Sequence, residues 1–345
     1  VSVASDARRH PKAMTASRAA LIWLALGAAA FVVLAASLAL GSVNLPMPRA
    51  IAALLHARAA TPDIADEIVL TLRLPRALAG FASGALLALA GALLQVLLRN
   101  PLAEPYVLGV SGGAATFALT AMLASMPWWG VDIAACAGAF LSIVLVLGLA
   151  RTHLWHGEQD ASPRLLLTGV VIAAGWGALI TLILSVTPEN RLRGMLFWLT
   201  GDLNGAATPW PAMIALAVAL AVIAPAAPQL NVLLRGDATA RALGVPVERL
   251  RLRVYLVASI AAAAAVTTAG TIGFVGLVVP HLLRLAFGND QRMLVPAAPL
   301  AGGLAVMSAD LAARTVIAPG QLPVGVVTAL VGVPMFLWML LRRPR

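Results

Sequence analysis

From Ala77 to Leu98 the chain reads Ala-Leu-Ala-Gly-Phe-Ala-Ser-Gly-Ala-Leu-Leu-Ala-Leu-Ala-Gly-Ala-Leu-Leu-Gln-Val-Leu-Leu, with Arg76 before it and Arg99 after it. It holds no charge and no proline, and Ser83 and Gln95 are its polar side chains. An α-helix rises 1.5 Å per residue, so about 20 apolar residues cross the roughly 30 Å of bilayer hydrocarbon. The stretch reads as a membrane-spanning helix whose bracketing arginines mark where water begins.

Nine more apolar runs read the same way, near 20–41, 107–126, 131–150, 165–187, 209–228, 252–271, 273–288, 294–313 and 322–341. Short helices fit at 191–201 and 235–248. The expected fold is therefore all-α, a polytopic membrane protein with about ten transmembrane helices. Residues 1–19 are expected to form a cytoplasmic tail, and 20–345 a single transmembrane domain. Composition agrees: of 345 residues 61% are hydrophobic and 11% charged, whereas a soluble domain carries about a quarter charged residues to cover its aqueous surface. Most of the 24 basic residues, including Arg342, Arg343 and Arg345, fall on one side when both termini are cytoplasmic. An even number of spans with both ends inside satisfies the positive-inside bias.

Small residues recur at helical spacing in Gly80-Phe-Ala-Ser-Gly84, Ala88-Leu-Ala-Gly-Ala92 and Gly109-Val-Ser-Gly-Gly113. Such spacing lets helix backbones approach within a membrane, where no hydrophobic drive brings helices together. A Gly-rich helix followed by a polar, arginine-bearing turn occurs in both halves, the pattern of an internal duplication.

Several chemistries are excluded. There is no H-E-x-x-H and no G-x-S-x-G,. Lys12 is the only lysine, so no Walker A loop can reach a nucleotide's β- and γ-phosphates. If ATP drives this protein, ATP and Mg sit on another polypeptide. Cys136 stands alone. His153 and His156, with Glu158 and Asp160 nearby, sketch a metal site, yet a solvated turn explains them more simply, and no metal or other cofactor is expected. The net charge of +10 is spread along the chain rather than gathered in a basic domain, so nucleic acid is not an expected partner. Asp310 is the one acid well inside a span, and Arg314 lies one turn later, a local i,i+4 pair,. So few intramembrane charges argue against a stand-alone, ion-coupled secondary transporter, the competing class.

Three stretches carry a resemblance. The first is Leu72-Arg-Leu-Pro-Arg76 with Arg99-Asn-Pro-Leu-Ala-Glu-Pro-Tyr-Val-Leu-Gly-Val-Ser-Gly-Gly113. The second is Gly273-Phe-Val-Gly-Leu-Val-Val-Pro-His-Leu-Leu-Arg284, and the third Leu322-Pro-Val-Gly-Val-Val-Thr-Ala-Leu-Val-Gly-Val-Pro-Met-Phe336. In this order they resemble the iron-chelate and vitamin B12 permeases of type II ABC importers. The resemblance implies a homodimer in the bacterial inner membrane, two cytoplasmic ABC ATPases and a periplasmic substrate-binding protein. It implies an ATPase-coupling element at about 235–248, with Asp237, Ala240, Arg241, Leu243 and Gly244. Binding-protein docking falls on Arg73, Arg76 and Arg314, for which membrane-interface anchoring is the plainer role. A cytoplasmic gate falls on Asn100 and Leu102, and a second gate on Ser162, although Pro163 departs from the family's pattern there.

The substrate is less determined. Arg191 and Arg193 could make the outer mouth positive, which suits haem propionates or an anionic siderophore. Phe197-Trp-Leu-Thr-Gly-Asp202 is also similar to stretches of corrinoid permeases. Haem is the first expectation, with another ferric chelate or cobalamin as alternatives.

Overall fold

The structure, a computed structural model, describes residues 15–41, 43–55, 63–155, 161–206 and 208–341, with backbone alone at 107–108, 150–155, 161–166 and 340. Among the described residues there is helix and no strand. In chain order the helices are α1 (Ala16–Ala39), α2 (Met47–Leu55), α3 (Ile64–Glu67), α4 (Leu74–Leu97), α5 (Val110–Leu123), α6 (Trp128–Trp155), α7 (Ala161–Val186) and α8 (Glu189–Leu199). There follow α9 (Trp210–Ile223), α10 (Ala227–Leu233), α11 (Asp237–Ala242), α12 (Val247–Ala269), α13 (Val275–Phe287), α14 (Gln291–Thr315) and α15 (Val324–Leu341). Seven helical stretches are long and apolar enough to cross a membrane, and Val110–Leu123, Val275–Phe287 and Val324–Met339 are shorter apolar helices. Each of the ten expected segments overlaps one of these ten.

The quoted stretch becomes the centre of the molecule. From Ala77 to Leu98 nearly every residue is buried, because α4 is apolar all round and packs against α12, α13 and α14,. Glycine decides how closely. A Cβ on Gly84 would lie 2.2 Å from the carbonyl oxygen of Gly302, and one on Gly91 would lie 1.7 Å from that of Gly276. Only hydrogen fits at either crossing. Around this core, α1 and α7 expose apolar faces, with Leu24, Phe31 and Val32 on the first and Val171, Leu182 and Val186 on the second. Such faces suit lipid or a second copy of the chain, not water.

Several helix ends shift by up to about five residues from the sequence reading, and four differences bear on the architecture. The helix expected to begin at 77 runs from Ile64 without a break, through α3 and a π-helical segment Ile68–Arg73. Pro75, within the first turn of α4, has no N–H to donate, and the wider π turn just before it absorbs the mismatch,. The element expected over 235–248 is α11 alone. It ends where Gly244 adopts φ +77° and Val245 N–H closes onto Ala240 O at 2.9 Å, a glycine helix stop. Pro246 then starts α12 five residues earlier than expected. The fourth difference is α2, which the sequence reading did not contain.

Three chain breaks meet inside the bundle. Asp202 N–H donates to Ala269 O at 3.0 Å, Val324 N–H to Gly201 O at 3.0 Å, and the Thr271 hydroxyl to Leu199 O. Non-helical backbone at membrane depth survives only where its polar groups are satisfied. Here each break supplies the partners of another.

Candidate functional site

Two groups of charged side chains lie at opposite ends of α4. At the Arg76 end, Asp310 of α14 receives the Arg76 guanidinium as a fork, with Nε at 2.9 Å and Nη2 at 2.8 Å from Oδ1. Arg314 Nε stands 3.0 Å from Oδ2 of the same carboxylate, so the i,i+4 pair expected from sequence is present. Arg76 Nη1 also donates to Asn204 Oδ1 and, at 3.0 Å, to Gln321 Oε1. Arg73 turns the other way. Its Nη1 donates to Leu38 O at 2.7 Å and Ala39 O at 2.9 Å, and its Nη2 to Val43 O. The first two carbonyls belong to the open C-terminus of α1, where a cation satisfies both the orphan acceptors and the helix dipole.

Arg73, Arg76 and Arg314 line one cavity of about 660 Å³, together with Trp128, Asn204 and Gln321. Three guanidiniums against one carboxylate leave it positive. Arg73 and Arg314 are nevertheless buried, at 6% and 5% exposure; Arg73 ties the π-helical segment to α1, and Arg314 pairs with Asp310 of its own helix. The docking expectation thus falls on residues that already have a structural role.

At the Asp237 end, Asp237 begins α11 and takes one arginine on each oxygen: Arg99 on Oδ1, and Arg251 on Oδ2 at 2.7 Å. Arg241 pairs with Glu248 at 2.9 Å. Ala240 is buried beneath α11, whereas Leu243 stands 64% exposed. α11 is thus a short helix braced from behind, with an apolar side chain exposed at its tip. Next to it, the Asn100 side chain accepts Leu102 N–H at 2.9 Å, an Asx turn that presents Leu102 at 44% exposure,.

Sequence reasoning assigned no role to the residues that hold this linker. Gln95 Nε2 donates to Ala103 O at 3.3 Å and to Leu277 O at 3.2 Å. Glu104 Oε1 accepts Phe274 N–H at 3.1 Å, and Tyr106 Oη both donates to Ile272 O at 3.0 Å and accepts Ile272 N–H at 2.8 Å. Burial pushes the Glu104 carboxyl above its ordinary range, against the opposing pull of the Phe274 N–H,. Glu104 and Tyr106 stand inside the quoted 99–113 stretch, but a motif does not say which carbonyl a side chain will meet.

Arg191 donates to Leu123 O at 2.6 Å, and the Arg193 guanidinium lies 5.7 Å above the Phe197 ring. Both are exposed, and each already has a partner in the chain. Ser162 falls in the first turn of α7, and its side chain lies outside the described residues, as do the His153 side chain, His156, Glu158 and Asp160. Among the described residues no three His, Cys, Asp or Glu side chains gather as a metal site.

Apolar helices packed around an enclosed central one, with paired charges at both ends, define an integral membrane protein. The chain matches the model of the FecCD transport family over residues 29–342 and belongs to that family. It is thus a permease of ABC importers, a transport subunit and not an enzyme. It is 40% identical over 286 residues to the vitamin B12 import system permease protein BtuC of Salmonella typhi, covering 81% of this chain and 85% of that one. The BtuC of Salmonella typhimurium matches at the same identity and coverage. Among solved structures, an inward-facing metal-chelate type ABC transporter superposes with a TM-score of 0.81 at 26% identity, over 94% of this chain and all of that one. PsaBC from Streptococcus pneumoniae, in complex with Fab, gives 0.55 at 16% identity over 81% of this chain and 95% of that one, a likeness of fold alone.

Proposed function

We propose that this chain is the permease of a vitamin B12 importer of the bacterial inner membrane, working as a homodimer with two cytoplasmic ATPases and a periplasmic binding protein. The observation that carries the corrinoid reading is 40% identity to vitamin B12 permeases across 81% of the chain. It displaces haem as the first expectation. The case for haem rested on a positive mouth at Arg191 and Arg193, whose guanidiniums are engaged by Leu123 O and the Phe197 ring. Ten spans with both termini cytoplasmic place Asp237 and Leu243 inside and the Arg76 cavity outside, the sense required by the basic residues.

In this reading α11 seats in the ATPase, Asn100 and Leu102 close the path at its inner end, and the positive Arg76 cavity meets an acidic rim of the binding protein. Complementary charge of that kind raises the rate of encounter more than it adds affinity. ATP and Mg remain on the ATPase, since Lys12 cannot serve a phosphate loop,. The test is uptake into proteoliposomes holding this chain, its ATPase and its binding protein. Cyanocobalamin should accumulate with ATP, haem should not compete, and the chain alone should move neither. ATP-driven haem uptake that excess cyanocobalamin leaves untouched would overturn the corrinoid reading.

A further inference from the structure

We propose that Arg99 is a positioning residue that ties α11 to the linker after α4, so that movement of α11 reaches Asn100 and Leu102 through the shared carboxylate of Asp237. The inference rests on the reading of α11 as the ATPase contact and of Asn100 and Leu102 as the gate. It begins with the backbone. Arg99 has φ +47°, the left-handed conformation in which helices commonly end but which few residues with a Cβ adopt. The turn ends α4 and brings the Arg99 side chain to Asp237.

Asp237 cannot follow Arg99 freely. Its other oxygen is held at 2.7 Å by Arg251, whose side chain is only 7% exposed and is fixed on α12. The carboxylate therefore stands between a buried arginine that anchors α11 and a half-exposed arginine that belongs to the linker. Among the described residues no other hydrogen bond or ion pair joins α11 to residues 98–104.

The linker is built to respond at that point. Its far end is pinned, by Gln95 to Ala103 O and by Glu104 to Phe274 N–H. Its near end carries the Asx turn, in which the Asn100 side chain holds Leu102 N–H at 2.9 Å. A rotation about Arg99 thus carries Asn100 and Leu102 together, while Ala103 and Glu104 stay in place. The ion pair acts as the handle of a short lever.

The experiment uses the assembled transporter with Leu102→Cys as the reporter in a Cys136→Ala background, labelled by a membrane-impermeant maleimide with and without ATP. Arg99 is 38% exposed on its side chain, so neither Arg99→Gln nor Arg99→Lys empties the core. With Arg99 or Arg99→Lys, ATP should change the labelling rate of Leu102→Cys. With Arg99→Gln that response should vanish, and cobalamin moved per ATP hydrolysed should fall about fivefold or more, the lower range of coupling between two sites. Rescue by Arg99→Lys separates a charge link from mere packing. A full ATP response in Arg99→Gln overturns the lever. A reporter that ignores ATP with Arg99 intact, in a transporter that still imports, overturns the gate reading on which the lever stands.

Discussion

Among the described residues Asp310 is the single acid paired with Arg76 and Arg314, and its removal would leave two desolvated guanidiniums facing one another. Breaking a buried pair by deleting one partner costs about 3–5 kcal/mol, because the charge left behind has lost its water. Asp310→Asn should therefore lower the unfolding midpoint in detergent strongly. Asp63→Asn, which breaks the exposed pair with Arg49, should change stability by less than about 1 kcal/mol. Equal losses would show that the Arg76 cavity is solvated. Half of this cluster was legible: the spacing of Asp310 and Arg314 gave the local pair. Arg76, 234 positions away, left no trace, since no spacing rule reports a contact between distant helices. At Glu104 the expectation concerns pH. An acid whose carboxyl is raised by burial keeps its proton to higher pH when folded than when unfolded. Its ionisation thus removes stability as pH rises from the unfolded carboxylate's range through the folded one. Glu104→Gln keeps an acceptor for Phe274 N–H and cannot ionise. Its stability relative to the unaltered chain should climb as pH rises above the ordinary carboxylate value of about 4, the side on which the shift lies,. A flat difference would mean that Glu104 ionises as in water.

Among the elements, α4 shows how little room the packing leaves. Gly91→Ala would put a methyl 1.7 Å from Gly276 O, and α13 would have to move away. Overpacking of this kind costs roughly 1–3 kcal/mol and sometimes more. Gly194→Ala in α8 meets nothing within 4 Å, so it should gain the roughly 0.5–1 kcal/mol by which alanine exceeds glycine in a helix. Unfolding midpoints of opposite sign are the expected result, and a neutral Gly91→Ala would show that α4 and α13 are farther apart than described. The long apolar runs were legible because a bilayer demands about 20 such residues in succession. The small-residue patterns pointed to close packing but not to the crossing points: Gly84 lay in a noticed motif, while Gly91 lay inside Ala88–Ala92 with no role of its own. What escaped was short or irregular. The nine residues of α2 are too few to declare themselves, and a π turn ahead of Pro75 has no periodic signature.

For the molecule as a whole, topology is the property most directly open to test. In a Cys136→Ala background, Leu243→Cys should react with an impermeant thiol reagent from the cytoplasmic side, and Asn204→Cys from the opposite side. Both sites are exposed, and they lie beyond opposite ends of α4. The reverse pattern would invert the orientation, and with it the placing of ATPase and binding protein. Class and family were legible from composition and from three stretches in order. Substrate was not: Arg191 and Arg193 suggested an anionic chelate, and no spacing rule reveals that Leu123 O and the Phe197 ring engage them.

The enclosure of α4 has a further consequence for how the protein is made. Most of what covers α4 is α12, α13 and α14, drawn from residues 247–315. A chain synthesised from its N-terminus releases α4 into the bilayer long before those helices exist. Until they arrive, the grooves at Gly84 and Gly91 are filled by acyl chains, which the later helices must displace. The order of synthesis therefore runs against the order of burial: the helix at the centre of the finished molecule is among the first made and the last covered.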